Sequence, residues 1–230
     1  MSAPSPNPQA GSTASVAATY DGFYKQPNYF QYRDWLYRPF IRALIKSVGL
    51  KKGARVLDAG CGQGFFTSLF ADAGMDALGA DISAEGVAQA RNFHGSSGAK
   101  FEVGDALRLP YAGEFDCVYN RSCSLYNRAD FADHRELTDA LLGYVRPGGV
   151  LIFDYYTNLC ARKKCSSWRY HSLDEVRRHF APYAGSRVYF SLRLDTILLG
   201  RHAFGFTGLN ALASRVSGVG GDLIAIVRKK

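Results

Sequence analysis

Apolar positions along this chain change their period several times, and each change marks an element. Ile41, Leu44, Ile45 and Val48 recur at helical spacing and Gly49 follows them, which predicts a helix ending there with Pro39 in its first turn. Arg55–Asp58 reads as a short buried strand feeding a glycine-rich turn. Phe65, Phe66, Leu69, Phe70 and Ala73 form the stripe of the next helix, stopped by Gly74. Ala77–Asp81 is a second strand ending in an acid, and Ser83 caps a helix through about Phe93. Lys100–Val103 and Phe115–Asn120 are a third and a fourth strand. Asp133 and Glu136 make a capping box for a helix bearing Leu137, Leu141 and Val145, and Arg146-Pro147-Gly148-Gly149 ends it before a fifth strand, Val150–Tyr155. Ser172 and Glu175 make another capping box, with Val176 and Phe180 on the helix face that follows. Arg187–Leu194 and Leu223–Val227 alternate like strands, and the apolar, glycine-punctuated stretch Ile197–Val216 between them is ambiguous.

Strands alternating with helices through short connections imply a parallel sheet covered on both faces. The 230 residues suit one such α/β domain, and 47% hydrophobic content is enough for a full core. Residues 1–18, rich in Pro, Ser and Ala, read as a disordered leader. Residues 19–50 then crowd in aromatic side chains with polar tips, including Tyr20, Tyr24, Tyr29, Tyr32 and Trp35, and read as a helical lid or pocket wall over a main domain at 51–230.

Charge and cysteines narrow the class. The net charge is +8, but the basic residues are dispersed apart from Arg162–Lys164 and Arg228–Lys230, so nucleic acid is not the expected partner, while an anionic substrate would fit. Five scattered cysteines form neither a disulfide framework nor a zinc pattern, which points to a reducing cytoplasm and no metal. No secretory signal or membrane-spanning run is visible.

The candidate chemistry centres on Asp58-Ala59-Gly60-Cys61-Gly62-Gln63-Gly64. Glycines allow a tight turn and a close approach of backbone to a ligand. An acid stands two residues before the first glycine, and Asp81 ends the next strand, about where dinucleotide folds place a ribose-binding acid. The spacing GxGxG, rather than GxGxxG, argues against a pyrophosphate ligand.

This motif closely resembles the first motif of the class I S-adenosylmethionine (SAM)-dependent methyltransferases. The resemblance covers Val56 to about Asp154. It includes Gly79-Ala80-Asp81-Ile82-Ser83, Gly104-Asp105-Ala106, Phe115-Asp116-Cys117-Val118 and Arg146-Pro147-Gly148-Gly149 in the family's order. It implies a Rossmann-like, doubly wound, seven-stranded sheet, mostly parallel, with an antiparallel last strand and helices on both faces. Arg187–Leu194 and Leu223–Val227 would be its last two strands, with 197–216 helical between them. The resemblance also implies roles by position. Gly60, Cys61, Gly62 and Gly64 would pack under the methionyl part of SAM, and Asp58 would hold the loop or the amino group. Asp81 would accept both ribose hydroxyls, Ile82 would cover the adenine, and Asp105 and Ala106 would meet its edge. Asn120 would lie near the sulfonium, and Tyr20 or Tyr24 would close over the methionine end. S-adenosylhomocysteine would be the product.

The acceptor is less legible, because methyl transfer from an activated donor relies on positioning and needs a base only where a proton must leave. No proline-rich motif follows Asn120, which counts against adenine-N6 and glutamine acceptors. Candidate acceptor contacts are Tyr29, Tyr32, Trp35, Arg121 as an anion contact, Ser124, and Tyr126 and Tyr156 for stacking. His134 is the first candidate base, Tyr126 a second catalytic candidate, and His171 a further histidine of interest. The expectation is a small aromatic or polar metabolite methylated at O, N or C by a monomer or homodimer. The alternatives are a methyltransferase of RNA or another macromolecule, or a SAM-binding regulator without turnover. An interfacial membrane contact through 197–216 is set aside, since only Arg201 and Arg215 would supply a basic face.

Overall fold

The structure, a computed structural model, describes residues 13–26, 32–123, 126, 134–157, 170–183 and 185–230. Helices α1 (Thr13–Tyr24) and α2 (Asp34–Val48) precede β1 (Arg55–Ala59), α3 (Phe65–Asp72), β2 (Asp76–Asp81), α4 (Ala84–His94) and β3 (Lys100–Val103). Then follow β4 (Phe115–Arg121), α5 (Arg135–Tyr144), β5 (Val145–Tyr156), α6 (Leu173–Phe180), β6 (Arg187–Leu192), α7 (Asp195–Leu199), α8 (Thr207–Ser217) and β7 (Gly221–Arg228). A 3-10 turn, Gly200–Phe206, links α7 to α8.

The strands form one sheet in the order β3-β2-β1-β4-β5-β7-β6. β1 to β5 are parallel, and β7 runs antiparallel between β5 and β6. This is the expected Rossmann-like sheet. Its central strands are apolar at consecutive positions because both faces are covered. Val56, Tyr119, Ile152 and Ile224 face a layer built on Phe40 and Leu44 of α2 and Phe70 of α3. Their neighbours Leu57, Val118, Leu151 and Leu223 face Leu137 and Leu141 of α5 and Val176 and Phe180 of α6. Cys117 is buried in β4.

Four boundaries depart from the sequence reading. α1 begins at Thr13, inside the stretch expected to be leader. Its alanines favour helix, and it gains a partner by packing on α4. Pro39 lies inside α2, not in its first turn. The helix starts earlier because Asp34 pairs with Arg38 at 2.8 Å. The carbonyl that the proline cannot bond belongs to Trp35, on the helix's exposed side, where water can serve it. Val145 belongs to β5 rather than to the helix before it, and Arg146–Gly149 continue that strand, because the sheet claims this backbone opposite Phe115. Finally, β6 stops at Leu192, and Arg193 turns its guanidinium inward onto Asp222 at 2.8 Å. The expected capping residue Asp133 lies outside the described residues, whereas the Ser172–Glu175 capping box is complete.

Candidate functional site

The strand order reverses between β1 and β4, so their carboxyl ends open the crevice in which α/β sheets of this kind bind ligands. The glycine loop lines that crevice. Gly60 and Cys61 both donate backbone N–H groups to the Ala80 carbonyl, at 2.8 and 3.1 Å, which pins the loop to β2. Cys61 packs inward, where only a glycine at position 79 leaves room: a Cβ there would stand 2.9 Å from the cysteine side chain. Burial pushes the Cys61 thiol well above its usual range, so it is not a nucleophile.

Two glycines are demanded by conformation and by crowding. Gly62 (φ 53°) and Gly64 (φ 81°) lie in the left-handed region. A Cβ on Gly64 would come within 2.6 Å of the Phe101 ring and 2.8 Å of Ala90. Gly64→Ala is therefore expected to cost about 2–4 kcal/mol of stability, from strain plus overpacking. Urea unfolding would show it as a lower midpoint with an unchanged slope.

Asp81 is the electrostatic centre of the crevice. It is buried at the end of β2. Gly62 N–H donates to its Oδ2 at 2.8 Å and Ser83 N–H to its Oδ1 at 2.9 Å. Burial raises its pKa, and those two N–H groups oppose the rise by favouring the carboxylate. Each oxygen keeps a lone pair for a further donor. Asp58 is different. It lies beneath the loop, 2% exposed, and accepts the Thr67 hydroxyl at 2.7 Å. It is thus seen as an anchor between β1 and α3.

Burial pushes Asp58 up to about 7. The folded state therefore binds a proton that the unfolded state has released, and this group's contribution to stability falls as pH rises from about 4 through 7. Asp58→Asn keeps an acceptor for Thr67 but cannot ionise. It should gain stability relative to the wild type between pH 5 and pH 8 (about the span of the transition), as read from paired urea midpoints.

α1 closes over this region. Asp21, which the sequence reading did not single out, accepts the Ser83 hydroxyl at 2.5 Å and the Glu85 N–H at 3.1 Å, fastening α1 to the start of α4. Its pKa is lowered chiefly by the Ser83 hydroxyl. The Gln89 amide donates to the Tyr24 carbonyl at 3.0 Å. The Tyr24 ring then lies in a groove made by two glycines: a Cβ on Gly62 would stand 2.6 Å from the Tyr24 hydroxyl, and one on Gly86 2.9 Å from its ring. Tyr20 packs on Tyr24 and Phe23. Further round, Ile82 is half-buried beside Asp81. Asp105 accepts the Leu107 N–H at 3.0 Å, and the Ala106 carbonyl accepts the Tyr144 hydroxyl at 3.0 Å.

At the end of β4 several expectations change. The fully buried Asn120 donates to the Ala59 carbonyl at 2.6 Å and accepts the Tyr155 hydroxyl, so its side chain braces the strand that leads into the glycine loop. Ser122 is the single non-glycine residue with positive φ (47°) among the described residues. Such strain concentrates at functional sites and is invisible to pattern reading. Cys123 follows, and its side chain would lie 3.5 Å from a Cβ on Gly60.

Arg121 is not available to a substrate anion. It is buried, paired with Asp154 and with Asp222 (3.3 Å), and its guanidinium lies over the rings of Tyr37, Phe66 and Tyr156. Tyr156 accordingly belongs to this ring cluster. Tyr32 stacks on Phe65, centroids 5.0 Å apart, and joins the same aromatic group. Trp35 stands apart on the outer face of α2, 56% exposed. Tyr126 is 1% exposed, wedged against Phe153 and Tyr155, with its hydroxyl bonded to Thr138. Burial raises its pKa far above the phenol range, so it cannot act as a base. Tyr29 and Ser124 lie outside the described residues.

His134 lies at the start of α5, buried, facing His171 and His179 with ring centroids 6.1 and 6.0 Å away. The three imidazoles line a cavity of about 460 Å³ with Tyr126, Phe153 and Glu175. The sequence spacing could not have assembled this group, since the histidines come from separate segments. No group of His, Cys, Asp and Glu among the described residues is placed to hold a metal ion, and no described helix is long and apolar enough to cross a membrane.

Comparison with known proteins agrees with this geometry. A family model described as a methyltransferase domain matches residues 50–181. A malonyl-[acyl-carrier protein] O-methyltransferase of Enterobacter lignolyticus is 31% identical over 176 residues, covering 76% of this chain and 64% of the relative. A demethylmenaquinone methyltransferase of Beutenbergia cavernae is 35% identical over 112 residues, 48% of this chain and 44% of the relative. The chain thus spans less than two thirds of the length of these relatives. Among solved structures, a geranyl diphosphate C-methyltransferase of Streptomyces coelicolor, determined with Mg2+, geranyl-S-thiolodiphosphate and S-adenosylhomocysteine, superposes with a TM-score of 0.60 at 13% identity, covering 98% of this chain and 100% of that one. The glycine loop, the acid ending β2, the strand order and the family match together make this chain a member of the class I SAM-dependent methyltransferase family.

Proposed function

We propose that this chain moves a methyl group from SAM to a small acceptor held beyond the end of β4. The observation that carries the reading is Asp81, a buried carboxylate fixed by Gly62 and Ser83 N–H groups beside the glycine loop at the switch point of the sheet. That donor set fits the cosubstrate. Two carboxylate oxygens with lone pairs remaining suit a vicinal diol, and the Asp105–Ala106 turn offers backbone to an adenine edge. When bound, SAM supplies a methyl group already activated by its sulfonium.

The chain's own residues supply the rest. Asp81 holds the ribose, and the Asp58–Thr67 pair holds the loop under the methionyl end. Tyr24 and Tyr20 on α1 exclude water from the donor side. The Tyr155 hydroxyl donates to Asn120 and accepts the Cys123 N–H at 2.8 Å, a brace that keeps the crevice floor in place, so positioning provides most of the rate. His134, one of the three imidazoles around the cavity behind Tyr126, is the candidate to take a proton from an acceptor hydroxyl or amine. On this reading His134→Gln lowers kcat by about 100-fold and leaves the SAM Kd unchanged. Single-turnover kinetics with calorimetry would separate the two, and a shifted Kd would remove His134 from the role.

The acceptor class is drawn from the relatives, whose names specify a malonyl group on acyl-carrier protein and a demethylmenaquinone. The test is incubation with methyl-labelled SAM and separate metabolite, RNA and protein fractions. Label is expected in the metabolite fraction. Label in RNA, or in protein on anything but a carrier-bound acyl group, would overturn the small-acceptor reading, and binding without transfer to any fraction would mark a SAM-binding regulator.

A further inference from the structure

The helices between β6 and β7 are arranged inside out. On α8 the buried positions are polar: Asn210 is 6% exposed and Ser214 0%. Asn210 donates to the Phe190 carbonyl at 3.2 Å and to Asp195 at 2.7 Å, and Ser214 donates to the Val219 carbonyl at 2.8 Å. The opposite face carries Leu209, Leu212 and Val216, at 64%, 60% and 82% exposure. Those three recur at i, i+3 and i+7, one stripe of a helix, which normally faces a core. Leu198 on α7 is 84% exposed, and Phe206 at the end of the 3-10 turn 44%. Nine of the twelve exposed large hydrophobic side chains among the described residues fall within 194–219, so this is a patch and not scatter.

Its charge is one-sided. Between positions 185 and 230 the acids are Asp195 and Asp222 alone. Asp222 is fully buried against Arg193, and Asp195 is turned inward onto Ser191, Leu192 and Asn210. Arg187, Arg201, His202, Arg215, Arg228 and Lys230 are exposed over the same span. An outward apolar stripe with exposed basic side chains, and no exposed acid within 185–230, matches an anionic lipid surface. A second copy of this chain would present the same basic side chains and no exposed acid from 185–230 to pair with them.

We propose that the α7–α8 face docks this protein onto an anionic bilayer, lying in the interface without spanning it. The sequence alone argued against this, because only Arg201 and Arg215 would give 197–216 a basic face. The structure adds what the sequence could not show: the polar positions Asn210 and Ser214 are turned into the protein, the apolar stripe meets the outside, and both arginines are exposed.

Co-sedimentation of the full chain with phosphatidylcholine vesicles, with and without about 30% phosphatidylglycerol, tests this at low salt and at about 0.5 M salt, where screening is nearly complete. Binding is expected to the anionic vesicles and to weaken with salt. Leu209→Ser/Leu212→Ser, which changes no charge, and Arg201→Gln/Arg215→Gln should each weaken it by about ten-fold. All four residues are exposed, so thermal melts should match the wild type and exclude misfolding. Three results would overturn the proposal: no binding to anionic vesicles, binding that the leucine variant leaves intact, or a concentration-dependent dimer in sedimentation velocity that the leucine variant dissolves while vesicles are ignored.

Discussion

Asp81→Ala should weaken SAM binding by at least about 30-fold, or roughly 2 kcal/mol, the scale of charge-assisted hydrogen bonds in a buried site. The effect is large because one side chain does two things. In the ligand-free protein its oxygens take the N–H groups of Gly62 and Ser83, so it ties the glycine loop to the start of α4. With ligand present it would also take the ribose hydroxyls. Alanine removes both and leaves two N–H groups near the crevice without their acceptor. Isothermal calorimetry with SAM and with S-adenosylhomocysteine measures the first effect, and the melting temperature the second. A variant that binds SAM as the wild type does would refute the placement of the donor.

The second large effect lies away from the donor. Arg121→Met should destabilise the fold by about 3–5 kcal/mol, because it leaves a buried carboxylate uncompensated. For a chain of this length that lowers the melting temperature by roughly 10 °C. Asp154, fully buried, depends on Arg121 and on the Tyr119 hydroxyl, which donates to it at 2.6 Å. Burial raises its pKa against the pull of Arg121. Asp222 is also buried, yet the guanidiniums of Arg121 and Arg193 outweigh burial and hold it below the usual carboxylate range. It keeps Arg193 when Arg121 is lost, so Asp154 is the exposed weakness of the variant. Adding Asp154→Asn to Arg121→Met should recover a substantial part of the loss, since it removes the charge left without a counterion. Equal melting temperatures for the single and double variants would show that lost ring packing, not the charge, sets the cost.

The two variants separate what pattern could and could not reveal. The position of Asp81 was legible because it depends on local order: an apolar strand, an acid at its end, a serine that caps the next helix. Arg121 was misread because its place in the sequence, just past the fourth strand, says nothing about partners. Asp154 and Asp222 reach it from strands 33 and 101 positions away in the sequence, across a sheet whose last strand inserts between two others. Tyr126 was misread for a similar reason. An aromatic in a loop can face a substrate or a core, and the choice was made by Phe153, Tyr155 and Thr138 from other elements.

Boundaries slipped where tertiary contact overrode local preference. Thr13–Ala18 became helix because α4 offered α1 a surface, and Val145 became strand because Phe115 offered it a ladder position. Neither signal exists within the segment itself.

The sequence by itself determined the succession of strands and helices from α2 to β5, the tight turn that carries the glycine loop and the acid at the end of β2, since these follow from periodicity, capping and glycine's freedom over a few neighbouring residues. Tertiary structure alone decided which charges cancel, which tyrosines are walls and which are core, how three distant histidines come to share one cavity, and that α8 turns its leucines outward. Those outcomes depend on what lies across the sheet or beneath a helix, and the local pattern of a chain holds no record of that neighbour.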